Sequence, residues 1–316
     1  MKTWTTDDIP DLTGKVAVVT GGNGGLGFET SKALAASNAH VIIAARNIDK
    51  AEESAEAIRA ITPGASLELV AIDLADLSSV GGAADSIASR QPVVDILINN
   101  AGLMATPKGS TVDGFETQFG VNHLGHWALT ARLLGVLLAA EAGRVVTVTS
   151  TAHHMGRAVD ADDLNLDAHY SPWSAYGRSK LANYHFAIGL QRQFETAGVT
   201  TQSLLAHPGL ANTDLQNNTV TQGGAGIFGR LSQIMASTIG MSSASGALPQ
   251  LRAATDPNAS GGQFYGPLFI NNGPPVSRPI LRRVGLDQAI DRLWTVSEQA
   301  TGLALDVDTI RAAAHR

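Results

Sequence analysis

Tyr176 and Lys180 stand four residues apart in SAYGRSKLANYH. On a helix that spacing stacks two side chains on one face. A phenol and an ammonium so placed could be surface decoration, or a proton donor with a tuned pKa. Free tyrosine titrates near pH ~10, too weak an acid to protonate a carbonyl oxygen well at neutral pH. A neighbouring cation lowers such a group by about one to three units. Ser150 closes the apolar run RVVTVTS, at the carboxyl end of an expected strand. Open parallel sheets bind ligands outside those ends. A hydroxyl, a phenol and an ammonium could therefore converge on one substrate oxygen.

A second set of residues could hold a phosphate. TGGNGGLG follows the run VAVVT and opens a helical pattern, with Gly21, Gly25 and Gly27 in G-x-x-x-G-x-G spacing. A strand, a glycine turn and a helix let backbone approach a pyrophosphate, which then rests on the helix N-terminus. Gly21, Asn23, Gly24, Gly25, Leu26 and Gly27 are the expected contacts. At the end of the second strand, VIIAARN offers Arg46 and no acid. An acid there selects NAD; a guanidinium grips a 2′-phosphate through paired hydrogen bonds. NADP(H) is the preferred cofactor on this reading, and NAD(H) the alternative.

The elements that must position these groups are legible as alternation. Short apolar runs occur at 16–20, 41–45, 67–72, 96–99, 145–149 and 201–206, with a shorter one at 263–265. Most are apolar throughout, as strands covered on both faces are. Helical patterns fall near 26–37, 49–61, 78–90, 115–141 and 175–197. This predicts an α/β single-domain Rossmann fold over 1–316: a doubly wound, mainly seven-stranded parallel sheet with helices on both faces. Two regions depart from the pattern. Residues 214–250 replace a simple crossover and read as a substrate lid, and 270–316 read as a loop-helix tail.

Composition narrows the function classes. The chain carries 22 Lys and Arg against 28 Asp and Glu, a net charge of −6, without a basic stripe, so nucleic acid is not an expected partner. The absence of cysteine removes disulfides, thiolate metal sites and thiol nucleophiles. The N-terminal residues lack the apolar core of a signal peptide, and no apolar stretch is long enough to span a bilayer. A cytoplasmic location is the expectation.

Taken in order, TGGNGGLG, Asp73–Leu74, NNAG at 99–102, Asn122 in VNHLGHW, Ser150, YGRSK at 176–180, and HPG at 207–209 with Thr213 resemble a short-chain dehydrogenase/reductase of the classical type. NHLGH, SKLAN, HPG and RLWTVSEQATG further resemble its retinol dehydrogenase-like branch. The resemblance implies roles. Tyr176 would be the acid/base, with Lys180 lowering its pKa and holding the nicotinamide ribose. Ser150 would position the carbonyl, and Asn122 would support a proton relay from Lys180. Asp73 and Leu74 would lie near the adenine, and Asn100, Ala101 and Gly102 along the adenosine half. Pro208, Gly209, Leu210 and Thr213 would border the nicotinamide. The implied activity is carbonyl–alcohol interconversion on a lipophilic small molecule, with assembly as a homodimer or homotetramer. A catalytically silent dinucleotide sensor and an extended-type epimerase or dehydratase are the competing functions. The four catalytic residues argue against the sensor, and the glycine spacing argues against the epimerase. The family's usual alanine after the first glycine is Gly22 here, and the insert VDADDLNLDAHYSPW puts the pocket rim in question.

Other residues invite less specific readings. His123, His126, His153 and His154 are read as framework or pocket-rim histidines, with no metal site expected. Asp160, Asp162, Asp163 and Asp167 lack the spacing of a calcium loop and read as a solvated acidic loop. Ile227, Leu231, Ile234 and Met235 form a helical stripe that could be a lid, a packing face or a membrane-surface helix, the last being the weakest fit.

Overall fold

The computed structural model describes residues 3–210, 241–281 and 284–314. Its strands are β1 Val16–Thr20, β2 His40–Ala45, β3 Leu67–Ala71, β4 Ile96–Asn99, β5 Arg144–Val148, β6 Gln202–Ala206, β7 Phe264–Pro267 and β8 Pro275–Arg278. They form one sheet in the order β3-β2-β1-β4-β5-β6-β7-β8. Every neighbouring pair is parallel except β7 with β8. The order reverses between β1 and β4. Loops leaving those two strands diverge, opening a crevice at the carboxyl ends.

The helices are α1 Gly25–Ala36, α2 Ile48–Ile61, α3 Leu77–Arg90, α4, α5 Pro172–Ala197, α6 Ser243–Thr255, α7 Leu286–Thr301 and α8 Val307–Ala314. α4 is composite: Thr117–Phe119, a π turn at Gly120–Leu124, then Gly125–Leu138. Start signals are local. Asn47 accepts from the Lys50 N–H at the head of α2, and Asp76 accepts from Ser78 and Ser79 at the head of α3. Gly198, at φ 62°, closes α5.

Adjacent strand residues face opposite layers. Val19, Ile43 and Ile98 pack with Leu34, Ile58 and Leu251 from α1, α2 and α6. Val18, Ile42 and Leu97 pack with Ile87, Leu129 and Phe186 from α3, α4 and α5. Each such side chain contributes roughly 1.5–3 kcal/mol by leaving water, so the site rests on a rigid, two-sided core.

Two expectations change here. The sheet has an eighth strand, because residues 275–278 of the expected loop-helix tail turn back against β7. That strand is short, begins at proline and has no apolar run, as an antiparallel edge strand can. Residues 243–250, assigned from the sequence to a lid, belong to α6, whose buried face packs on the sheet. Thr213 and the 227–241 stripe lie outside the described residues. The rest of the tail covers α4 and α5. Trp294 of α7 stands 5.1 Å from Trp127 and 5.9 Å from Phe186, centroid to centroid. No helix among the described residues is long and apolar enough to cross a membrane.

Candidate active site

The chain leaves β1 through Gly21, at φ +64°. A Cβ on Gly27 would stand 2.0 Å from the Gly21 carbonyl oxygen, and one on Gly22 2.8 Å from Ser31 Oγ. Gly22 therefore replaces the family's usual alanine where Ser31 has taken the space. Gly24 precedes α1 in extended conformation and makes no side-chain cap. The first N–H groups of α1 are left for a ligand to satisfy.

Buried polar bonds fix the loop to its neighbours. Thr20 Oγ1 accepts from the backbone N–H of Asn100 at 2.9 Å and of Ala101 at 3.0 Å. Asn100 Nδ2 donates to the Thr20 carbonyl at 2.8 Å. Gln250, from α6, donates to Thr30 Oγ1 and Asn100 Oδ1. This contribution of α6 was not legible in the sequence, since a glutamine carries no signal of a partner 150 residues away.

The β1–β4 crevice opens into a cleft of about 660 Å3. One end is bordered by Gly21, Asn23, Gly24, Gly25, Leu26 and Gly27. Arg46, Asp73, Leu74, Asn100, Ala101 and Gly102 continue that wall. Arg46 is exposed at the end of β2, and Asp73 Oδ1 accepts from the Ala75 N–H at 2.9 Å. Ser150, Tyr176, Lys180, Pro208, Gly209 and Leu210 border the other end. All the sequence-assigned cofactor residues with described positions thus share one cleft.

Ser150 follows β5 and opens the short turn Thr151–His154, its Oγ accepting from the Ala152 N–H. Its side chain is hydrogen-bonded to the Tyr176 phenol. Tyr176 and Lys180 lie in α5 and are only 5% and 4% exposed. Lys180 Nζ lies 5.9 Å from the Tyr176 ring centroid and donates to the Val148 carbonyl at 3.2 Å. Burial pushes the Lys180 ammonium down to about 8. Burial also raises Tyr176 above its ordinary value of 10.0, with the Ser150 hydrogen bond pulling the other way. The expected lowering of the phenol is therefore not a property of the protein alone. Desolvation outweighs the Ser150 hydrogen bond here.

Asn122 lies beside Lys180, both packing against Gly102. It sits in the π turn, fully buried, and does not border the cleft. Its Oδ1 accepts from the Leu103 N–H at 2.7 Å, and its Nδ2 donates to the Leu103 carbonyl and to Ser179 Oγ, both at 2.9 Å. Its own carbonyl meets His126 Nδ1 at 3.0 Å. It thus holds the strand-end segment that carries Gly102, against which Lys180 Nζ also packs. His126 Nε2 reaches Thr20 Oγ1 at 2.9 Å, which places that histidine in the framework. His123 does the same for the tail, through Ser297 at 2.8 Å.

Several cleft residues were missed by sequence reasoning. Trp173 is three residues before Tyr176, a helical spacing that could have revealed it, and its ring stands edge-on to Tyr176 at 6.0 Å. Leu103, Met104, Met155 and Asn271 also border the cleft without a sequence signal of their own. Arg178, inside the YGRSK motif, holds the insert instead of the reacting groups. It donates to the carbonyls of Asp163 and Leu164 and faces buried Glu116 at 3.6 Å. The acidic loop is thereby strapped to the site, with Lys108 pairing Asp167 at 2.9 Å.

Residues 15–223 match the family model described as short chain dehydrogenase. The chain belongs to the short-chain dehydrogenase/reductase family. Among its curated relatives in that family are retinol dehydrogenases. Retinol dehydrogenase 12 of Homo sapiens is 43% identical over 204 residues, 65% of this chain and 64% of that relative's length. The chain therefore aligns to less than two thirds of that protein. A crystal structure of an uncharacterised protein from Mycobacterium Paratuberculosis has 38% identity and a TM-score of 0.77, covering 96% of this chain and 99% of that one. A short chain dehydrogenase from Escherichia coli CFT073, complexed with NADPH, has 25% identity and a TM-score of 0.55, covering 67% and 83%.

Proposed function

We propose that the protein is an NADP(H)-dependent oxidoreductase that interconverts a carbonyl and an alcohol on a lipophilic small molecule. The observation that carries this reading is one cleft with a glycine cradle and Arg46 at one end, and Ser150, Tyr176 and Lys180 at the other. The cradle suits a dinucleotide: glycine at 21 and 27 lets the turn pack closely on Ala101, Asn100 and itself, keeping its backbone against the cleft, and the uncapped start of α1 suits a phosphate. Arg46, without an acid at the end of β2, suits a 2′-phosphate. The NADPH-bound relative supports the same choice.

When bound, the nicotinamide supplies the hydride chemistry, and the protein supplies placement and a proton. Ser150 Oγ, already bonded to the phenol, would hold the substrate oxygen within reach of Tyr176. The phenol is protonated at neutral pH, the state needed to donate; burial makes it a weaker acid in the protein alone, and the charges of Lys180 and of the oxidised nicotinamide would offset that as the proton leaves. Lys180 would hold the cofactor ribose and offset charge on the phenolate left behind. Leu103, Met104, Met155, Trp173 and Leu210 give the substrate end an apolar lining, which supports a lipophilic substrate. NADPH consumption against a panel of apolar aldehydes and ketones tests the proposal, with NADH in parallel. Turnover with NADPH exceeding that with NADH is expected. A protein that binds NADPH tightly and turns over none of the panel would favour the sensor reading.

A further inference from the structure

His207 leaves β6 at the edge of the cleft without bordering it. Its ring is buried, and its backbone N–H donates to the Tyr265 carbonyl at 2.9 Å. Its Nδ1 accepts from the Gly209 N–H at 3.0 Å. An N–H aimed at Nδ1 defines the protonation state: Nδ1 carries the lone pair and the ring proton is on Nε2. The ring fits only because residue 266 of β7 is glycine. A Cβ there would come within 2.5 Å of His207 Cδ2 and 2.7 Å of Nε2.

The turn tied by this bond is Pro208–Gly209–Leu210, all three of which border the cleft. Gly209 has φ +70°, and a Cβ on it would sit 2.5 Å from the Asn271 carbonyl oxygen. Glycine is thus required, and glycine is the residue that least restrains its own backbone. Shape must come from outside the turn. Three bonds supply it: the Asn271 carbonyl accepts from the Leu210 N–H at 2.9 Å, the Leu210 carbonyl accepts from the Met241 N–H at 2.8 Å, and His207 Nδ1 holds Gly209. The imidazole is kept neutral by burial first, then by His153, Arg278 and His154, which bring it to about 3. The Phe264 ring lies against it at 5.6 Å.

We propose that His207 is a positioning residue for dinucleotide binding: accepting through Nδ1, it holds the Pro208–Gly209–Leu210 turn in the shape that borders the cofactor. The proposal rests on the reading of the cleft as a dinucleotide site. It predicts that the acceptor atom matters and the imidazole does not. In His207→Asn, the amide oxygen can accept from the N–H two residues on, as in an Asx turn.

The test is fluorescence titration of NADPH into the wild type, His207→Ala, His207→Asn and Gly266→Ala, with turnover measured at saturating NADPH. His207→Ala is expected to weaken NADPH binding roughly tenfold, the scale of one lost hydrogen bond and a loosened turn, while saturated turnover falls much less. His207→Asn is expected to return to near wild-type affinity. Gly266→Ala keeps the histidine but displaces its ring, so it should bind as weakly as His207→Ala. An asparagine variant as weak as the alanine one would overturn the proposal, as would unchanged affinity in Gly266→Ala. A wild type that binds no dinucleotide would overturn the cofactor reading underneath instead.

Discussion

At the scale of single residues, the centre of the account is a phenol that burial makes a weaker acid and an ammonium that burial brings to about 8. Lys180 therefore carries its charge below about pH 8 and loses it above. If it holds the cofactor ribose as a cation, NADPH affinity should decline as pH rises through that value, and Lys180→Met should be weak throughout. An affinity flat from pH 6 to 10 would remove the charge from that role. Arg46 makes a second residue-scale prediction. Arg46→Ala should weaken NADPH by roughly tenfold or more and leave NADH little changed, because only the former offers a phosphate for the guanidinium. Comparable losses for both cofactors would place Arg46 elsewhere in recognition. Tyr176, Lys180 and Ser150 were legible because residue type, helical spacing and strand-end position all point one way. Trp173 carried the same spacing signal, unused. Asn122 was singled out by motif, yet its π turn and its grip on Leu103 are tertiary facts that no local pattern encodes.

At the scale of elements, strands buried on both faces were the most readable. β1 and β4 appear with the bounds their apolar runs suggest, since nothing but a covered strand explains VAVVT or ILIN. β8 was unreadable because its pairing comes from β7, not from its own composition. The insert before α5 is held by a buried ion pair that also escaped notice, because Glu116 and Arg178 meet only after folding. Both side chains are nearly inaccessible, at 0% and 4%. Removing one charge from such a pair costs more than the pair contributes. Arg178→Leu should therefore lower unfolding free energy by about 3–5 kcal/mol in urea melts and loosen the Lys108–Asp167 strap. A change under about 1 kcal/mol, the size of a surface ion pair, would mean the pair is not sealed from water.

At the scale of the whole molecule, buried imidazoles set an acid limit. His123, His126 and His207 are brought by burial from 6.5 to about 3, 4 and 3. The folded values lie below the unfolded one, so unfolding takes up protons as pH falls under 6.5. Stability linked to these rings is complete above about pH 6.5 and is lost progressively towards pH 3. Three such groups give a slope of up to about 4 kcal/mol per pH unit once all are protonated in the unfolded chain. Melting temperature should hold from pH 8 to 7 and drop steeply below 6. His123→Gln should flatten that drop, and an unchanged slope would remove that ring from the linkage. The tail adds to this dependence, since His123 is bonded to Ser297 of α7 and Trp294 fills the space beside Gly189. Helices α7 and α8 cover α5 and α4. The most direct test of the cleft's role is one pair of numbers for Tyr176→Phe: its NADPH dissociation constant and its turnover. Binding within a few-fold of wild type, with turnover lost by three orders of magnitude or more, is the predicted result, consistent with removal of the acid from a proton-transfer step. Full turnover in that variant would contradict the assignment of Tyr176 as the proton donor.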